Sequence, residues 1–173
     1  MNDLAPRWLT DAEQRTWRAW LEVMRLLPAK LEDRLHERDS LNLTDYQVLV
    51  ELSESAEGRL RMTELAHRTS LSKSRLSHQI GRMEKAGTVE RQECPEDRRG
   101  AFAVITEHGW DVLRAAAPGH VEDVRELFID LMSPQELAVV GQAMGLIAEK
   151  LRQSPGVGCA NAAAEQQAAG RPS

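Results

Sequence analysis

The chain has 173 residues, 42% hydrophobic and 28% charged, with a net charge of −5 at pH 7. This is ordinary globular composition, enough for one domain with a real core. Two widely separated cysteines, Cys94 and Cys159, exclude a disulfide framework and point to a reducing compartment. The opening residues hold no signal-like apolar run, and no stretch approaches the roughly 18 apolar residues of a membrane span, so a cytoplasmic protein with no membrane partner is expected.

Residues 1–9 read as a loose arm. Thr10 and Glu13 are spaced as a capping box. Trp17, Leu21, Met24, Leu31 and Leu35 then recur on one face of a long helix. Pro28 falls inside that pattern and is expected to kink or divide the helix, since it lacks an amide donor and crowds the turn before it. The pattern breaks over residues 39–43. Thr44 to Gln47 is a second capping-box signal, opening a short helix that carries Val48, Leu49 and Leu52. A turn at Ala56–Gly58 and a brief strand at Leu60–Met62 lead to Thr63, expected to cap a helix through Arg68 with Leu65 and Ala66 turned inward. Ser72 caps the next helix, which runs to Ala86 and stops at Gly87.

Val89–Glu93 and Ala101–Ile105 alternate as strands, with Cys94–Gly100 as the turn between them. Thr106 opens a second long helix carrying Val112, Leu113, Val121, Val124, Leu127, Phe128 and Leu131, which Pro118-Gly119 is expected to interrupt and bend. Ser133, Pro134 and Glu136 start a last helix. It extends to about Arg152, with Leu137, Val140, Met144, Ile147 and Leu151 on one side. Residues 153–173, rich in Ala, Gly and Gln, are expected to be a disordered tail. The fold class is mainly α with a small β-hairpin.

The acidic total hides an uneven distribution. From Arg59 to Arg99 there are ten Lys/Arg against six Asp/Glu, a net of +4, while the remainder has twelve against twenty-one, a net of −9. A local positive field on a negative body steers DNA to one face. At about 100° per residue, Leu76, Ile80 and Met83 share the inward arc of the Ser72–Ala86 helix. Ser74, Arg75, Ser77, His78 and Arg82 lie on or at the edge of the opposite side, with Gly81 among them. These are small donors, an imidazole and cations, the side chains that meet base edges and phosphates in a major groove. The helix amino end at Ser72 and Lys73 offers free amides to a phosphate. An ordinary amphipathic helix has the same pattern. What separates the readings is the next hairpin, where Arg98 and Arg99 suit the negative potential of a minor groove and Asp97 is placed to hold the loop in shape.

Together these residues resemble the winged helix-turn-helix of the MarR family of bacterial transcription regulators. The resemblance rests on Leu65-Ala66, Leu71 to Ser74, Met83 to Gly87, Asp97 to Arg99 and Thr106 to Gly109, with Leu43 to Gln47 similar to the family's second helix. It covers residues 10–152 as one domain. The winged helix spans about residues 44–106, and the dimerisation helices about 10–38 and 107–152. It implies an obligate homodimer with intertwined first and last helices, a near-palindromic operator on double-stranded DNA, and repression relieved by a small aromatic or phenolic effector. The family's crevice between dimer helices and DNA lobe makes Trp17, Trp20, Met24, Tyr46 and Trp110 the effector-pocket candidates.

Cys94, at the wing with arginines nearby, is a candidate thiol switch because cations favour thiolate. The histidines are dispersed without metal-ligand spacing, so neither metal nor cofactor is expected. No nucleophile elbow or phosphate loop frames an active site, so no enzyme is expected either. The rival binding reading is a winged helix turned protein-interaction module.

Overall fold

Among the described residues, regular structure begins where Thr10 caps α1 (Asp11–Asp39). The capping box forms as expected: the Glu13 amide donates to Thr10 Oγ1 at 3.3 Å and the Thr10 amide to Glu13 Oε2 at 2.8 Å. Pro28 does not divide α1, which continues for 29 residues and closes at Ser40 in the left-handed region. A proline forfeits one main-chain bond, and the remaining turns carry the helix through. The structure is a computed structural model that describes residues 6–94 and 97–153, with only the backbone for 97–99. The expected tail lies outside the described residues from 154 onward, as do the first five residues of the arm.

The second helix, α2 (Leu43–Ser53), starts one residue earlier than Thr44 implied. Its cap is Asn42, extended at φ −86° and ψ 153°, whose Oδ1 accepts the Asp45 amide at 2.7 Å. Asparagine is the stronger cap, and Glu32 of α1 satisfies the Leu43 amide at 2.7 Å. A 3-10 turn at Ala56–Gly58 leads into β1 (Arg59–Arg61). Gly58 has φ +65°, and a Cβ there would stand 2.8 Å from Ile105 Cγ2, so both conformation and space require glycine.

α3 (Met62–Arg68) begins directly off β1, so Thr63 lies in its first turn and is not the cap; Arg61 takes that position without a side-chain bond. α4 (Lys73–Lys85) is capped by Ser72, which accepts the Arg75 amide at 3.3 Å. β2 (Val89–Cys94) and β3 (Asp97–Ile105) complete a three-stranded antiparallel sheet in the order β1-β3-β2. β3 is longer than expected: Cys94 pairs with Asp97 across an irregularity between Glu93 and Cys94, so Asp97 to Gly100 belong to a strand and not to a loop. Pairing main-chain groups along the hairpin leaves fewer of them unsatisfied than an open turn would.

α5 (Glu107–Leu127) follows from Thr106 and runs unbroken through Pro118-Gly119. Phe128 lies just beyond it, and Leu131 belongs to a separate 3-10 turn, Ile129–Leu131. α6 (Pro134–Gln153) begins at the Ser133 box, with the Glu136 amide on Ser133 Oγ and the Ser133 amide on Glu136 Oε2. Leu35, Val48, Leu49, Leu52, Leu65, Leu76, Ile80 and Val89 are wholly buried and weld α1 to α4 and the sheet into one core.

α1 and α5 are joined by charge. Asp123, nearly buried, takes Arg34 and Arg38 at 3.0 Å each, and Arg34 also holds Glu126 at 2.8 Å. Gly119 makes room for this seam, since a Cβ there would lie 2.4 Å from the Arg38 guanidinium. No described helix is long and apolar enough to cross a membrane. The result is mainly helical with a small sheet, a winged helix-turn-helix flanked by α1, α5 and α6.

Candidate nucleic-acid interface

The outward face of α4 is built by the burial of its inward one. Leu76, Ile80 and Met83 are locked in the core, so Ser74, Arg75, Ser77, His78 and Arg82 are held in solvent. They stand on a helix whose backbone is fixed at both ends, by the Ser72 cap and by Gly87 at φ +74°. Ser74, Ser77, His78, Gly81, Arg82, Lys85 and Arg91 line a shallow concavity of about 440 Å³. The structure therefore brings together most of the α4 residues singled out in the sequence. Ser72 and Lys73 lie exposed at the helix start, where no acidic side chain of the first turn neutralises the positive end of the helix.

Arg91, not marked as a site residue by sequence, braces this surface from β2. Its Nη2 donates to the Ser77 carbonyl at 2.7 Å and to Ser77 Oγ at 3.3 Å, and its amide donates to Glu84 Oε1 at 3.2 Å. A partly buried polar chain that reaches α4 through Gln79 was also missed. Gln79 bonds to Asp45 of α2 and accepts from Arg82, while Asn42 bonds to Asp45. Burial pushes the Asp45 carboxyl above its ordinary value, with Asn42, Arg82 and Gln79 each opposing that rise. Spacing gave a usable signal for Gln79, which falls three residues after Leu76 and four before Met83, on the inward arc.

On the open side of the sheet, Arg59 and Arg61 lie over the Phe102 ring at 5.2 and 5.4 Å. The wing strands carry Asp97, Arg98 and Arg99 in β3, but the side chains of these three lie outside the described residues. Cys94 is a free thiol, only 3% exposed.

Of the five effector-pocket candidates, two pack with the core and three lie on α1. Tyr46 is buried and its ring meets that of His120 at 4.4 Å. Trp110 packs on the core near Gly58. Trp17 and Met24 are more than half exposed on α1, with Trp20 partly covered beside them. Neither the concavity on α4 nor a second one on α1, at Glu32, Asp33, His36 and Glu37, includes any of the five.

Residues 39–100 match the sequence model of the MarR family. The chain is 53% identical to AbsC, a MarR family transcriptional regulator from Streptomyces coelicolor. That alignment covers 85% of this chain and 99% of AbsC, with a TM-score of 0.80. The chain belongs to the MarR family. A second MarR family regulator from the same organism, Sco3205, was solved in complex with DNA. It is 44% identical over 90% of this chain and 97% of its own, with a TM-score of 0.84. Among curated proteins, the uncharacterized HTH-type transcriptional regulator YfiV of Bacillus subtilis is 27% identical over 147 residues, 84% of this chain and 89% of YfiV. MarR membership makes the protein a DNA-binding transcription regulator of winged-helix fold.

Proposed function

We propose that the protein is a ligand-responsive repressor that binds a near-palindromic operator as a homodimer. The observation that carries this reading is the exposed polar and cationic face of α4 on a buried apolar base, in a chain 44% identical to a protein solved with DNA. Ser74, Arg75, Ser77, His78 and Arg82 read base edges in the major groove, while Ser72 and Lys73 take a backbone phosphate. Arg98 and Arg99 extend the grip to the minor groove, with Asp97 shaping the wing.

Dimerisation is supported by apolar surface left uncovered. Among the described residues none of α6 is buried, and Val139, Leu146, Ile147 and Leu151 are each more than half exposed. Trp17, Leu21 and Met24 of α1 are about half exposed. A two-fold partner covering these faces sets the two α4 helices about one DNA turn apart. An aromatic or phenolic effector then acts by biasing that spacing, from a crevice that dimerisation completes around Trp17, Trp20 and Met24. The buried position of Cys94 does not favour the thiol-switch alternative, and the cations retained on α4 do not favour a protein-interaction module.

The test is a DNA mobility shift on the region upstream of the protein's own coding sequence, repeated with phenolic compounds and with peroxide. A shift released by a phenolic compound supports the full reading. No shift at low salt refutes the DNA reading. A shift released by peroxide alone refutes the phenolic one in favour of Cys94.

A further inference from the structure

Gln79 sits on the buried flank of α4, only 7% exposed, beside Leu76, Ile80 and Met83. An amide in that position needs partners at both ends. Its Nε2 donates to Asp45 Oδ1, and its Oε1 accepts from Arg82 Nη2. Asp45 is itself bonded twice to Asn42: Asn42 Nδ2 donates to Asp45 Oδ2, and the Asp45 amide donates to Asn42 Oδ1 at 2.7 Å. The chain of bonds thus runs from the cap of α2, through the interior, to a cation on the outer face of the recognition helix.

The polarity of this chain is fixed by chemistry. A carboxylate only accepts and a guanidinium only donates. The amide between them must turn its nitrogen to Asp45 and its oxygen to Arg82. The reverse orientation sets acceptor against acceptor at one end and donor against donor at the other. Arg82 is otherwise a long, exposed side chain with many rotamers, and a bond to a buried anchor removes much of that freedom before DNA arrives. One of the five guanidinium N–H groups is engaged in this way, and a planar fork remains for a base edge.

We propose that Gln79, anchored by Asp45, is a positioning residue for DNA recognition that holds the Arg82 guanidinium in the orientation that reads a guanine. This rests on the reading of Arg82 as a DNA contact. It makes a base preference depend on α2, an element outside the recognition helix itself.

The experiment is binding-site selection from a randomised duplex pool with the wild-type protein, R82A, Q79M and D45A, alongside urea unfolding of each. Methionine keeps the length and volume of Gln79 and removes both of its bonds. The expected result is that R82A loses its preference for one G·C pair in each half-site. Q79M weakens that same preference by roughly tenfold and leaves the other positions unchanged. The salt slope of Q79M stays at the wild-type value because no phosphate contact is lost, and Q79M adds nothing in the R82A background. D45A leaves Gln79 and Arg82 in place but removes the anchor. It gives the same narrow loss, which keeps the test decisive should Q79M fail to fold. Wild-type selection by Q79M and D45A overturns the proposal, as does equal weakening at every position, the mark of a merely structural role. In those cases R82A still shows its own effect and the DNA reading stands. An R82A protein with unchanged base preference overturns the proposal together with the reading of Arg82 as a base contact, while no selection by the wild-type protein overturns the DNA reading itself.

Discussion

Replacing Gly109 with alanine sets helix propensity against packing at the junction between the wing and α5. In an exposed helix the substitution stabilises by about 1 kcal/mol. Here the added Cβ meets the Thr88 carbonyl oxygen at 2.1 Å and Ile105 Cγ1 at 2.8 Å. Carbon–oxygen contacts settle near about 3.3 Å, so the first turn of α5 must retreat from the sheet by roughly 1 Å. The Thr88 carbonyl also accepts the Thr106 amide at 3.1 Å, and losing that bond removes about 1 kcal/mol more. Overpacking of this kind costs about 1–3 kcal/mol, so packing wins and the net loss is about 1–3 kcal/mol. Urea unfolding followed by far-UV circular dichroism, at equal protein concentration for both proteins, reads this as a lower midpoint at unchanged slope. A G109A protein as stable as wild type refutes the reasoning, because it means the end of α5 moves without resistance.

Leu76→Ala removes a wholly buried side chain from the base of the recognition helix and is expected to cost about 2–5 kcal/mol in the same unfolding assay. Thr106→Ala removes an oxygen that accepts the Gly109 amide at 3.0 Å and donates to the Gly87 carbonyl at 2.6 Å; a loss of about 1–2 kcal/mol is expected from the cap. Burial lowers the His120 imidazole, with Asp123 opposing and Arg38 adding to the shift. Its contribution is therefore fully present above the unfolded value of about 6.5 and is lost as pH falls from there through the depressed folded value. Unfolding measured across that window should show stability falling with pH in the wild type and a flatter profile in His120→Gln. Leu146→Glu with Ile147→Glu places charge on the uncovered face of α6 and is expected to yield monomers in sedimentation, with native-like circular dichroism and weakened operator binding.

The outward face of α4 was legible because periodicity, capping and charge agree there: Leu76, Ile80 and Met83 point one way, and Ser72 and Gly87 mark the ends. The starts of α2 and α3 were displaced because the signals used were local. Asn42 competes with Thr44 for the cap, and Glu32 of another helix decides between them. β1 feeds α3 directly, so Thr63 has no cap to make. The two prolines mislead for a related reason, since each removes one helical bond while the Leu35 core and the Asp123 seam hold α1 and α5 in place. The chain from Asn42 to Arg82 joins residues 40 apart, and such pairings arise from helix packing, which pattern reading along the chain does not supply.

The seam between α1 and α5 changes how a salt titration of this regulator reads. Arg34 and Arg38 keep roughly a third of their side-chain surface in water, and Glu126 about two thirds, so dissolved ions weaken their pairing with Asp123 and Glu126. The same ions compete with the protein for DNA phosphates. Added electrolyte therefore acts twice, once at the groove and once on the seam that ties α1 to α5. The apparent number of phosphates contacted then contains an elastic component, and neutralising Asp123 separates it from the true count.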